Sequence, residues 1–286
     1  MTSPKSKFLL SNFTVILVSI IVSIVLHAVL PAPVDDIEFD SFLVRHLGFP
    51  VVAVSYFIIL FSQVAIVIHT FGRFSNMKPL EIGLRFGMAL GIIYQLGMQE
   101  IVVEATHFES WGFDFVVYQI FMGLADSLPT ILLCVGICYF TMNYHKETCV
   151  SDSKKIETRH KIISILFFAL TFFIQRTIAY NRNWVHSNID RYPIQTLVWT
   201  FLFGTTLGSS YLLLLPVFLT ENNFKEYTTK ITVIVIGLNW IIFNSFIGFV
   251  FANTMIQMLC RSCLDVLVFW LTSLLVARLS PVKIEF

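Results

Sequence analysis

Ionisable side chains are rare in this chain, and several fall inside stretches too apolar to face water. Asp126 lies in Leu124-Ala125-Asp126-Ser127, Asp265 in Cys263-Leu264-Asp265-Val266, Arg176 in Ile174-Gln175-Arg176-Thr177, and Arg261 between Cys260 and Ser262. An ionised group at the centre of a bilayer costs about 2.5 to 3.5 kcal/mol on insertion scales, so it is kept where it faces a cavity or an opposite charge. With Glu100 these residues make three acids and two bases. Two chemistries fit such a set. It is a salt-bridge network that only holds helices together, or it lines a water-filled funnel in which the arginines bind an anionic substrate and the acids carry protons. Burial favours the neutral form of a carboxylic acid, which is what a proton relay needs. Pro129 follows Asp126 by three residues. It frees a backbone carbonyl and favours a kink, and a broken helix beside a buried acid is how carriers build midplane sites. The plainer alternative is a kink satisfied by Ser127 or Thr130, with Asp126 locked in an ion pair.

Glu100, Glu104 and His107 share one helical stripe, below Gln95 and Gln99. Two carboxylates and an imidazole on one face are candidate metal ligands, and Glu104-x-x-His107 has the spacing used in carboxylate-bridged metal bundles. Those bundles need a second such motif, which this chain lacks. Counted from Leu84, Glu104 and His107 reach the membrane interface, where wet side chains at a helix end explain them equally well. His27 stands near the outer end of the first apolar segment, and Asn239 and Asn244 in the seventh either join helices or line a polar path. Cys260-x-x-Cys263 is a candidate thiol pair, but the total of five cysteines excludes a fully paired framework within one chain. The run Gly204-Thr205-Thr206-Leu207-Gly208-Ser209-Ser210 reads as a packing seam rather than a nucleophile site. No phosphate loop, nucleophile elbow or HExxH helix is present, and the sequence implies no cofactor.

The elements that position these groups follow from composition. Of 286 residues, 56% are apolar, 13% are charged and 29 are Phe. A water-soluble surface cannot be built from so few charges, and the mean hydropathy of +0.79 agrees. The bilayer is the solvent. Apolar stretches occur near 8 to 30, 47 to 71, 82 to 103, 115 to 143, 161 to 180, 194 to 219, 230 to 252 and 256 to 277. They lack the alternation of barrel strands, so the fold class is all-α, a polytopic membrane protein of about eight transmembrane helices. The first stretch is too long for a signal-peptide core and has no small-x-small cleavage site after it, which makes it an uncleaved first helix.

With the N-terminus inside, 14 of the 19 basic residues fall on the cytoplasmic side, including Lys5, Lys7, Arg73, Lys78, Lys146, Lys154, Lys155 and Arg159. The first outer loop carries Asp35, Asp36, Glu38 and Asp40. This bias puts both termini in the cytoplasm. The chain reads as one membrane domain, 1–286, with halves 1–143 and 161–286 joined by a basic loop at 144–160. The second and sixth stretches start 147 residues apart and the third and seventh 148 apart, which suggests two parallel four-helix repeats. Asp126 and Asp265 fall at similar places in these halves, as do His27 and Arg176.

Three functions are compatible with this pattern. The leading expectation is a secondary transporter or permease for a small solute, with Asp126 and Asp265 as coupling acids and the outer halves of the helices forming its polar site. The second is an intramembrane enzyme acting on a lipid or lipid-linked substrate, using Glu100, Glu104 and His107 with Arg176 and Arg261 holding a phosphate. The third is a non-catalytic partner or sensor whose charges are structural. The balanced charge gives no bulk argument for nucleic acid, and the expected partners are the lipid bilayer and a small solute or lipid-linked substrate. Short loops without an Asn-x-Ser/Thr acceptor on the outer side point to a bacterial cytoplasmic (inner) membrane.

Overall fold

A computed structural model of the protein describes residues 4–30, 39–100, 112–142, 156–219 and 223–279, and every regular element among them is helical. In chain order these are α1 (Pro4–Val29), α2 (Phe42–Leu47), α3 (Phe49–Phe71), α4 (Pro79–Gly97), α5 (Gly112–Ile137), α6 (Thr158–Asn181), α7 (Pro193–Phe218), α8 (Phe224–Thr229), α9 (Leu238–Val250) and α10 (Met255–Leu279). A 3₁₀ turn extends α3 over Gly72–Phe74, a π turn ends α5 over Cys138–Met142, and a π-helical stretch, Lys230–Gly237, makes α8 and α9 one continuous rod. A helix satisfies its own backbone in lipid, and prolines at the starts of α3, α4 and α7 occupy positions whose N–H has no helical partner.

Among the described residues seven helices are long and apolar enough to cross a membrane, against the eight expected. The missing one is α4. It carries Glu81, Arg85, Tyr94 and Gln95 within 19 residues, and its apolarity falls accordingly. Near its start Glu81 and Arg85 are partly exposed and pair with each other at 3.0 Å, and one face of the helix, with Ile82, Phe86, Ala89, Leu90, Ile93 and Tyr94, is buried in the bundle. Apolar side chains such as Leu9, Leu10, Phe13 and Ile21 on α1 are instead exposed on the outside of the bundle, as a lipid-facing belt requires.

Close helix approach is made by glycine. A Cβ on Gly83 or Gly87 of α4 would lie 2.8 Å from the Cys134 carbonyl oxygen or 2.9 Å from Ile131 Cα of α5. Gly204 and Gly208 do the same for α7 against α6, where a Cβ would lie 2.8 Å from Ala169 Cα and 3.0 Å from Ile165 Cα. Apolar burial does not drive helices together in lipid, so such backbone-to-backbone packing carries much of the association. The first group of long helices pairs α1 with α3 and α5, and α4 with α5. The second pairs α6 with α7 and α10, and α9 with α10. Between the groups, α4 meets α7 and α3 meets α9.

One end of the bundle is tied by the segment that leads into α2. Ser41 donates its hydroxyl to the Phe249 carbonyl at 2.6 Å and its N–H to the Val250 carbonyl at 3.2 Å, while the Asp40 carboxylate accepts from the Ala252 N–H at 2.8 Å. Toward this end, where α1, α4, α6 and α9 finish and α3, α7 and α10 begin, lie the buried ion pairs of Arg176 and Arg261.

Candidate functional site

The buried charges divide into two separate groups. In the first, Arg176 on α6 is fully buried and meets Asp265 on α10 side-on: its Nε donates to Oδ1 at 3.0 Å and its Nη2 to Oδ2 at 2.6 Å. A planar guanidinium presenting two parallel N–H groups to one carboxylate is the strongest form of ion pair a protein makes. Trp240 of α9 adds a third donor to Asp265, from Nε1 to Oδ2 at 3.2 Å. The same Arg176 Nη2 lies 2.8 Å from Glu100 Oε1, and Arg261 Nη2 lies 3.6 Å from Glu100 Oε2. Arg261 also donates to the Asn244 Oδ1 at 2.9 Å. Two cations and two anions, none more than 3% exposed, therefore balance each other between α4, α6, α9 and α10. A void lined by Trp240 and Asp265 is about 10 Å³, the size of a single water position.

The second group is His27 on α1 and Asp126 on α5, with Nε2 to Oδ1 at 3.5 Å. Asp126 is buried, but His27 keeps 21% of its side-chain surface open. Pro129 explains why α1 docks here. It removes the N–H that would bond the Ala125 carbonyl, and that carbonyl instead accepts the Ser23 hydroxyl of α1 at 3.2 Å. Neither Ser127 nor Thr130 performs this task, since their hydroxyls donate to the Leu124 carbonyl at 3.4 Å and the Asp126 carbonyl at 2.8 Å. The proline thus opens a backbone acceptor next to the acid, and the serine one turn before His27 fills it.

Compared with family models, with curated proteins and with solved structures, the chain matches none of them, so the site is read from its own residues.

Between the two groups runs an uncharged polar bridge. Tyr94 of α4 donates its hydroxyl to Asn239 Oδ1 at 2.8 Å, Asn239 Nδ2 donates to Gln63 Oε1 of α3 at 2.9 Å, and Gln63 Nε2 donates to the Ile234 carbonyl at 3.2 Å. That last acceptor lies in the π-helical stretch, where the widened turn leaves carbonyls open to side chains. Tyr94 lies on α4, which packs against α5, the helix that carries Asp126. The bridge ends at Asn239, whose neighbour Trp240 holds Asp265.

Of the residues singled out from the sequence, Asp265, Arg176, Arg261, Glu100 and Asn244 come together, and Asp126 and His27 meet apart from them. Glu104 and His107 lie outside the described residues. Among the described residues no group of three or more His, Cys, Asp and Glu side chains is placed to hold a metal. Cys134 and Cys138 are buried in the core, whereas Cys260 and Cys263 are both exposed and unbridged. The serines of the small-residue run are occupied, Ser209 by the Thr205 carbonyl and Ser210 by the Ala89 carbonyl, both at 2.8 Å. Sequence reading missed Gln63, Tyr94 and Trp240. Gln63 and Tyr94 had a signal, each being a polar group within an apolar helix. Trp240 had none, because nothing in its neighbours distinguishes an indole that donates to a carboxylate from one that only fills space.

Proposed function

We propose that this multi-pass membrane protein is a secondary transporter for a small solute, built from eight spanning helices in two parallel four-helix halves, with both termini cytoplasmic. α4 supplies the eighth span: its 19 residues rise about 28 Å at 1.5 Å each, close to the thickness of the hydrocarbon core. The observation that carries the reading is a correspondence between the halves. In each, the first long helix provides a base and the last an acid, His27 with Asp126 and Arg176 with Asp265. The contacts between halves, α4 with α7 and α3 with α9, exchange under the same two-fold relation. Repeats related by an axis along the membrane normal are a recurrent carrier plan, and the substrate path lies at their interface. Here that interface holds the bridge from Gln63 through Asn239 to Tyr94. The end bearing α2 faces outward, in keeping with the basic bias of the opposite loops, and a bacterial cytoplasmic membrane is its setting.

A partner or sensor role has one observation in its favour: among the described residues the Arg176 group is buried and charge-balanced, as a purely structural network would be. An enzyme that grips a phosphate is less well supported, because both arginines already face carboxylates. The test is transport by purified protein in proteoliposomes, with an imposed proton or Na⁺ gradient and a panel of amino acids, sugars and organic ions. Gradient-dependent uptake that disappears in Asp126→Asn supports the carrier. Absence of gradient-dependent flux across the whole panel counts against it.

A further inference from the structure

We infer that the His27–Asp126 couple is a binding site for a single exchangeable proton, and that the Arg176–Asp265 couple is its permanently charged counterpart. The use of that proton to drive a solute rests on the carrier reading; the proton site itself rests on the geometry below.

His27 Nδ1 lies 2.8 Å from the Ser23 carbonyl oxygen, one turn earlier on α1. A carbonyl oxygen only accepts, so Nδ1 must carry a hydrogen in every protonation state that keeps this contact. The neutral ring then has a bare lone pair at Nε2, the atom that faces Asp126 Oδ1 at 3.5 Å. With Asp126 ionised, a lone pair and an anion point at each other, and one proton placed between them removes the conflict. It forms an N–H bond at Nε2 or an O–H bond at the carboxylate, and the charge of the couple goes from −1 to 0. No other bond is made or broken, and release to water is the reverse. The proton comes from water or a buffer acid on the α2 side, where His27 stands two residues from the end of α1 with a fifth of its side chain open.

Among the described residues no fixed charge pairs with the couple. On α3, Phe57 packs against the imidazole with ring centroids 5.6 Å apart, and Tyr56 is the titratable group near Asp126; on α4 that group is Tyr94. On α5, Asp126 is the group that faces the ring. Among the described residues no lysine or arginine has a salt bridge to Asp126, so the acid has a proton-dependent partner rather than a fixed cation. At the equivalent place in the other half, the guanidinium of Arg176 keeps its protons at all physiological pH values and donates two hydrogen bonds to Asp265. One half therefore exchanges a proton where the other cannot.

The tautomer makes the inference testable without any solute. Protein carrying ¹⁵N-labelled histidine, in detergent micelles, is observed by NMR in alkaline and in acidic buffer, and His27 is identified among the seven histidines by the signal lost in His27→Gln. The expected alkaline spectrum has Nδ1 protonated and Nε2 bare, the less common neutral form, and acid adds a proton at Nε2 or leaves the ring neutral while the carboxyl of Asp126 gains it. Infrared difference spectra between the two buffers, compared with Asp126→Asn, identify that carboxyl and remain available if His27→Gln does not fold. An alkaline spectrum with the proton on Nε2, or a couple whose state is the same in both buffers, overturns the inference. Flux without this tautomer leaves the carrier standing and removes the proton site; the tautomer without flux does the opposite.

Discussion

Removing Arg176 should destabilise the bundle more than any other single change to its polar groups. In Arg176→Gln, Asp265 loses both guanidinium hydrogen bonds, at 3.0 and 2.6 Å, and keeps the Trp240 N–H at 3.2 Å. Glu100 loses its closest cation, at 2.8 Å, and keeps Arg261 at 3.6 Å. Two carboxylates, 2% and 3% exposed, then share one positive charge. Breaking a buried pair by removing one partner costs about 3 to 5 kcal/mol, roughly two to four powers of ten in the unfolding equilibrium. Removing both members is different, because Arg176→Met with Asp265→Leu leaves Glu100 and Arg261 still balanced and puts apolar volume where two desolvated ions stood. Such replacements are often neutral or stabilising by about 1 to 4 kcal/mol. His27→Gln should cost no more than about 1 kcal/mol, since its partner is at 3.5 Å, the histidine is partly open, and Asp126 can take a proton in its place. The assay is unfolding in mixed micelles with rising denaturing detergent, followed by tryptophan fluorescence, of which Trp240 reports directly on Asp265. A loss below about 1 kcal/mol for Arg176→Gln, or a double variant as unstable as the single one, would refute the reasoning.

Three further outcomes follow from particular contacts. Asn239→Leu strands the Tyr94 hydroxyl and the Gln63 amide oxygen in the core and should cost about 1 to 3 kcal/mol in the same assay. Ser23→Ala should destabilise wild-type protein but be nearly silent in a Pro129→Ala background, because restoring the N–H at 129 lets the helix bond the Ala125 carbonyl itself; a double-mutant cycle with no coupling contradicts that assignment. Gly87→Leu meets Ile131 Cα, which is backbone and cannot swing away, so α4 and α5 must separate, at a cost of at least about 1 to 3 kcal/mol by thermal unfolding.

The all-helical, lipid-solvated fold was legible because the bilayer imposes one constraint on every segment: enough apolar residues to cross, with the backbone satisfied internally. The span at α4 was also legible as the stretch 82 to 103, although its composition is the least apolar of the eight, because Glu81, Arg85, Tyr94 and Gln95 fall within the helix that forms there. The ionisable residues were visible as anomalies in apolar runs, so their identities came from the sequence. Their partners did not. Arg176 and Asp265 are 89 residues apart and Tyr94 and Asn239 are 145 apart, and pairing at that range is fixed by helix rotation and by the glycine contacts that set spacing. The role of Pro129 was half visible: the freed carbonyl was expected, but its acceptor role toward Ser23 depends on which helix lies alongside.

In the proposed carrier one half of the molecule exchanges a proton where the other holds a fixed charge, and this difference drives a solute. His27→Arg tests it most directly, because it gives both halves a permanent cation opposite their acid. Proteoliposomes loaded with a pH-sensitive dye would be exposed to the solute panel, comparing wild type with His27→Arg at equal folded amounts. The account predicts solute-dependent proton movement in wild type and none in the variant. Proton movement of equal size in His27→Arg would contradict it.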